Sequence, residues 1–167
     1  LKRLGIEFSY PKPVGLIKYL LSIGAQDQNS IVLDFFAGSG TTGHSVVELN
    51  KDDSGSRKFI CVQMPELTEE SSEAYKNGYK TIAEIGKDRI KKIIKEIESK
   101  DKPDLFAKKI LNLGFKAFKL TPSNFKIWRS SDVNEENLVQ QLEAFTDPVQ
   151  ANSPEKNMLY ELMLKSG

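Results

Sequence analysis

Apolar positions change their spacing several times along the chain, and each change marks an element. From Pro13 to about Ile23, Leu16, Ile17, Leu20 and Leu21 recur at i, i+1, i+4 and i+5, the stripe of an amphipathic helix. Pro13 suits its first turn and Gly24 its end. The run Ile31-Val32-Leu33-Asp34-Phe35-Phe36 is apolar apart from one acid, which predicts a strand buried on both faces of a parallel sheet. A glycine-rich turn follows, then a helix from roughly Thr42 to Leu49. Past a polar loop at 50–57, Lys58 to Met64 predicts a second buried strand, which Pro65 stops. Ile82, Ile85, Ile90, Ile93, Ile94 and Ile97 recur at helical spacing between Tyr79 and Glu98 and predict the longest helix. Leu113 to Leu120 reads as a third strand by its alternation, which Phe118 interrupts. Two short helices, Glu135 to Phe145 and Pro154 to Lys165, are expected on either side of a Pro/Asn/Ser linker.

The order helix, strand, helix, strand, helix, strand gives an α/β layer fold with a mostly parallel sheet. Composition shifts beyond Thr121-Pro122, so residues 1–122 are expected as one domain and 123–167 as a C-terminal helical extension that faces a partner. Hydrophobic residues are 39% and charged residues 28% of 167, as in a globular chain long enough for a real core. The net charge of +1 argues neither for nor against a polyanion partner. Lys87, Lys91, Lys92 and Lys95 with Arg89, and then Lys108, Lys109, Lys116 and Lys119, read as solvated faces interleaved with acids.

Cys61 is the sole cysteine, which excludes an intrachain disulfide and a cysteine metal framework; it reads as a small buried residue. No run reaches membrane-spanning length and Leu1-Lys2-Arg3-Leu4 begins no signal peptide, so a cytoplasmic chain without a membrane partner is expected. Opening on Leu1 rather than methionine, the chain is expected to have been cut from something longer.

The chemistry lies in Asp34-Phe35-Phe36-Ala37-Gly38-Ser39-Gly40-Thr41-Thr42-Gly43. A strand runs into glycines and then into a helix, and such a turn sits at the carboxyl end of its strand, where open α/β sheets bind ligands. A phosphate loop would need lysine followed by Ser or Thr at the end of the turn, and no such pair is present. Gly38, Gly40 and Gly43 do match Gly-x-Gly-x-x-Gly of a dinucleotide site. The acid that such a site wants after the next strand is replaced by Gln63, and Asp34 would repel a pyrophosphate. S-adenosylmethionine, with its ammonium and sulfonium, reverses that argument: Asp34 and Phe36 are an acid and an aromatic suited to a cation. The sole histidine, His44, follows the turn on its helix; a structural or solvent-exposed role is expected of it and not a catalytic one, and no metal site is argued.

Four strings in order then resemble a known family: Phe8 to Leu21, Leu33 to His44, Arg57 to Glu66 and Tyr79 to Ile90. They are similar to motif X, motif I and following segments of the modification subunit of type III restriction-modification systems, an adenine-specific DNA methyltransferase. The resemblance covers roughly residues 8–125. It implies a partial Rossmann-like methyltransferase fold that binds S-adenosylmethionine. Lys12 and Pro13 would approach the methionine end, Asp34 would orient the amino group, and Phe36, Gly38, Gly40 and Thr41 would line the loop. Gln63 would stand at the ribose, without the charge of the acid that many related enzymes carry there.

The same resemblance implies double-stranded DNA as substrate, a dimer of modification subunits and a restriction subunit as partners. It also implies a catalytic Asp-Pro-Pro-Tyr upstream of motif X, which stacks a flipped adenine. That string does not occur in this chain. The expectation is therefore a C-terminal fragment or split gene product, holding much of the cofactor site and no catalytic residue. A nicotinamide-binding oxidoreductase domain and an assembly module that uses the residues after about 122 are the alternatives.

Overall fold

The computed structural model describes residues 2–6, 8–100, 113–126 and 137–167. Two compact units divide between Ala117 and Phe118. The first holds a short 3-10 turn at Lys2–Leu4, helix α1 (Val14–Gly24), strand β1 (Ile31–Asp34), helix α2 (Thr41–Asp53), strand β2 (Lys58–Cys61), the single turn α3 (Glu73–Lys76) and helix α4 (Ile82–Lys100). The second holds α5 (Leu138–Thr146) and α6 (Glu155–Ser166).

β1 and β2 are parallel, in register Ile31 with Lys58 through Asp34 with Cys61. Two further bonds carry the pairing past the strand ends, Val62 N–H to the Asp34 carbonyl at 2.8 Å and Ala37 N–H to the Val62 carbonyl at 3.1 Å. Helix α2, the crossover between them, packs on β2, on α1 and on α4. Side chains pair in step along α1 and α2. The Ser45 hydroxyl donates to the Val14 carbonyl at 3.4 Å, and Lys18 reaches Glu48 at 3.4 Å and Asp52 at 2.5 Å. The two helices therefore run in the same direction, and both N-termini lie at the carboxyl end of the sheet.

Helix α4 begins where a capping box places it. The Glu84 N–H donates to the Thr81 hydroxyl at 3.3 Å, and the Glu84 carboxylate accepts from Thr81 N–H at 3.2 Å and Lys80 N–H at 2.7 Å. Its buried stripe is Ile85, Gly86, Arg89, Ile90, Ile93, Ile94 and Ile97. Ile90, Ile93, Ile94 and Ile97 form the main core with Val47 of α2, and Phe59, Leu113 and Phe115 pack against them. Each such side chain contributes about 1.5–3 kcal/mol by leaving water. A second cluster joins Ile6, Ala74 and Ile85.

The structure corrects two sequence expectations. Neither strand is buried on both faces: Val32 and Phe59 turn inward, whereas Ile31 is 64% and Leu33 57% exposed. A helix layer covers one face of this pair, and the apolar run cannot say how many layers surround it. Leu113 to Leu120 is not a strand, because its chain joins neither β1 nor β2 and Leu120 is 99% exposed. Alternation still places Leu113 and Phe115 against the core, but a strand needs a partner as well as a pattern. Helix α1 buries no residue fully, and Leu16, Tyr19, Leu20 and Ile23 are more than half exposed.

The second unit is tied by a polar bracket. The Glu161 carboxylate on α6 accepts from the Ser123 hydroxyl at 2.5 Å, the Asn124 N–H at 2.7 Å and the Asn124 amide at 2.8 Å, and pairs with Lys165 at 2.7 Å. Phe125 and Val149 form an antiparallel bridge, and Phe118 meets Tyr160 edge-on at 5.3 Å. The expected helices appear as α5 and α6; Glu135, like Lys108 and Lys109, lies outside the described residues. No described helix is long and apolar enough to cross a membrane.

Candidate functional site

The glycine turn joins β1 to α2 with two left-handed residues, Gly38 at φ 52° and Gly40 at φ 74°. A side chain is strained at either. The three glycines differ in what they face. A Cβ on Gly38 would meet nothing within 4 Å, so this residue fronts open space. One on Gly40 would come within 3.1 Å of the Cα and carbonyl oxygen of Gly86 in α4. One on Gly43 would strike the Ile90 side chain at 2.8 Å. Gly40 and Gly43 are thus required by packing of α4, and Gly38 by the backbone and the open side.

Asp34 ends β1 and stays half-buried at the turn. One carboxylate oxygen accepts from the Phe36 N–H at 3.1 Å and the other from the Thr42 hydroxyl at 2.5 Å. Each oxygen keeps a lone pair for a further donor. Phe36 is 76% exposed beside it, edge-on to Phe35 with centroids 5.2 Å apart. Gln63, just past β2, accepts from the Gly38 N–H at 2.7 Å through its side-chain oxygen and donates to the Met64 carbonyl at 3.2 Å. Its amide therefore ties the second strand to the loop.

Asp34, Phe36, Gly38, Gly40 and Gln63 come together around one turn. Lys12 and Pro13 are exposed at the start of α1, whose N-terminus shares the carboxyl end of the sheet with that turn. Tyr10, two residues earlier, is 97% exposed and held at φ 57°, an unusual conformation for a bulky residue. Thr41 lies at the loop but is buried, and its hydroxyl accepts from Arg89 at 2.7 Å. Two open concavities, of about 340 and 370 Å³, lie along α4, the first lined by residues such as Tyr79 and Lys91 and the second by residues such as Ile94 and Phe115.

Two residues stand behind the loop: Gly86, which the sequence did not single out, and Arg89, which was expected on a solvated face with the lysines around it and is instead buried. Arg89 is 1% exposed. Its guanidinium donates to the Ser39 carbonyl at 3.2 Å, the Ser39 hydroxyl at 2.9 Å and the Thr41 hydroxyl. Through Nε it also donates to Nδ1 of His44 at 3.0 Å, and Nε2 of that ring lies 3.0 Å from Glu48. Burial lowers the Arg89 pKa to about 10, which leaves it charged at neutral pH. An arginine at the inward phase of an isoleucine stripe was the available signal. Of the structural and solvent-exposed roles expected of His44, its burial leaves the structural one. Among the described residues no His/Cys/Asp/Glu cluster could hold a metal ion.

Residues 2–70 match the family model described as DNA methylase. The chain is 51% identical over 89 residues to the Mod subunit of the type III restriction-modification enzyme EcoPI of Escherichia phage P1, covering 53% of this chain and 14% of that protein. It is 38% identical over 128 residues to the EcoP15I Mod subunit of Escherichia coli, covering 77% of this chain and 17% of that protein. For the StyLTI Mod subunit of Salmonella typhimurium the identity is 42% over 92 residues, 55% of this chain and 14% of that protein. The matched stretches are thus 14% to 17% of these relatives' own lengths. Through residues 2–70 the chain is similar to the DNA methylase family, and over the matched stretches it resembles the Mod subunits of type III restriction-modification enzymes.

Proposed function

We propose that this chain is the S-adenosylmethionine-binding part of a Rossmann-like adenine-specific DNA methyltransferase in a type III restriction-modification system. The observation that carries the reading is the Asp34 carboxylate at the mouth of the glycine turn, beside the exposed ring of Phe36. That pair suits a cationic ligand and opposes a pyrophosphate. The open side at Gly38 lets the ligand approach the backbone.

In this reading S-adenosylmethionine supplies an electrophilic methyl group when bound. Asp34 holds its ammonium, directly or through water, and Lys12 and Pro13 stand near the carboxylate end. Phe36, Gly38, Gly40 and Thr41 shape the loop. Gln63 holds the Gly38 N–H and stands at the ribose side, where its amide offers uncharged hydrogen bonding. Methyl transfer to the exocyclic amine of adenine in double-stranded DNA belongs to the whole enzyme, whose catalytic Asp-Pro-Pro-Tyr this sequence does not contain. Residues 123–167 act as a contact region for a second modification subunit or the restriction subunit.

Titration calorimetry with S-adenosylmethionine and with NAD tests the assignment. Weak but measurable binding of the first, lost in Asp34→Ala, is the expected result. Tight NAD binding that Asp34→Ala leaves unchanged would overturn it in favour of a nicotinamide domain. Robust DNA methylation by residues 1–167 alone would sink the fragment reading.

A further inference from the structure

We propose that Arg89 is a positioning residue for the glycine loop and that neutral His44 holds it in place, so the loop loses its ligand-binding form when His44 gains a proton. The proposal rests on the loop being an S-adenosylmethionine site, and adds to it a control set behind the site.

The geometry leaves little choice of proton placement. Arg89 Nε carries a hydrogen and cannot accept, so Nδ1 of His44 must be the acceptor across their 3.0 Å. The ring proton therefore sits on Nε2 and points to Glu48 at 3.0 Å. A second proton on Nδ1 would set two donors against each other where His44 is 4% and Arg89 1% exposed. Arg89 must then withdraw, and its bonds to Ser39 and Thr41 go with it. Gly86, one turn earlier on α4, backs onto Gly40, so one helix face braces the loop at both points.

The charges around the ring act in opposite directions. Burial is the largest influence and opposes protonation, as do Arg89 and Arg3, whereas Glu48 favours it; the net effect lowers the His44 pKa below 6.5. Glu48 is itself shared with Lys18 at 3.4 Å and Arg3 at 3.9 Å. Lys18 also binds Asp52 and Arg3 also binds Glu96, so neither cation is wholly committed to Glu48. His44 is thus neutral at pH 7.5 and titrates under more acid conditions.

Two measurements on the full chain test this: imidazole and amide 15N spectra, and S-adenosylmethionine calorimetry from pH 7.5 to 5.5. At pH 7.5 the ring is expected as the Nε2–H tautomer, and the Ser39, Gly40 and Thr41 amide signals should move with the His44 titration. Affinity should fall in step with the His44 titration, by less than about tenfold at pH 5.5, beyond the ligand's own titration. His44→Asn keeps an acceptor at the Nδ1 position without a titrating ring, and gives the baseline for the ligand. Its affinity should lack the extra loss. Arg89→Gln should uncouple the loop amides from His44 while a folded spectrum persists. An Nδ1–H tautomer, loop amides indifferent to the titration, or the same pH loss in His44→Asn would each overturn the proposal. Absence of binding in every variant at pH 7.5, with the amide coupling intact, would instead overturn the cofactor assignment and leave the Arg89–His44 linkage standing.

Discussion

Gly86 in α4 lies so close behind Gly40 in the glycine turn that a Cβ on Gly40 would come within 3.1 Å of its Cα and its carbonyl oxygen. The contact joins a helix to a loop more than forty positions earlier. It sets the register of α4 on α2, and with it the phase that brings Arg89 to Ser39 and Thr41.

The two glycines should respond differently to alanine. Gly40 is left-handed at φ 74° and crowded, so Gly40→Ala should cost about 2 kcal/mol or more. Gly86 is helical, and alanine there gains about 1 kcal/mol of helix propensity. Against that gain, its Cβ meets the Gly38 carbonyl at 3.3 Å. Gly86→Ala should therefore stay within about 1 kcal/mol of the parent chain while shifting the loop amides. Urea unfolding with amide spectra checks both; a larger loss at position 86 than at 40 would refute the ordering.

The core lies under α4, and the outer face of the sheet contributes less. Ile93, 2% exposed, should cost about 2–5 kcal/mol when cut to alanine. Ile60, 52% exposed, should cost less than about 1.5 kcal/mol. Denaturant midpoints of the two variants give the comparison, and equal losses would mean that the outer face is covered.

Cys61 should be a slow thiol. Burial, and then the nearby Asp34 charge, push its pKa up to about 11. At pH 8 only about one thiol in a thousand is then the reactive thiolate, compared with roughly a quarter for a free cysteine. Iodoacetamide should label the folded chain at least about a hundredfold more slowly than the urea-unfolded chain. Similar rates in the two states would contradict the burial.

Glu161 should make the second unit sensitive to acid. Four donors surround its carboxylate, led by Lys165 and Ser123, and hold its pKa down from 4.5 to about 2. A depressed carboxylate contributes stability above its unfolded value, and that contribution drains away as pH falls toward the folded one. Glu161→Gln should lower the melting temperature at pH 7, and the gap to the parent chain should close between about pH 4.5 and 2. A gap that persists at pH 2 would show that the carboxylate charge is not its source.

Much was already determined by the sequence itself. Helical spacing placed α4, the glycines between Asp34 and Thr42 placed the turn, and an apolar run on each side of α2 placed the two strands. These are local signals, because period and turn chemistry are written within ten or twenty residues. Tertiary structure decided what such signals do not carry. Whether Ile31 and Leu33 face a second layer, or whether 113–120 finds a strand partner, depends on neighbours distant in the chain. The site divides in the same way. Asp34 and Phe36 were legible as an acid and an aromatic beside glycines. That Gln63 spends its oxygen on Gly38, and that Thr41 turns to Arg89, is fixed by hydrogen bonds spanning 25 and 48 residues. A buried arginine must find acceptors wherever packing brings them, and only the fold brings Ser39, Thr41 and His44 to this one.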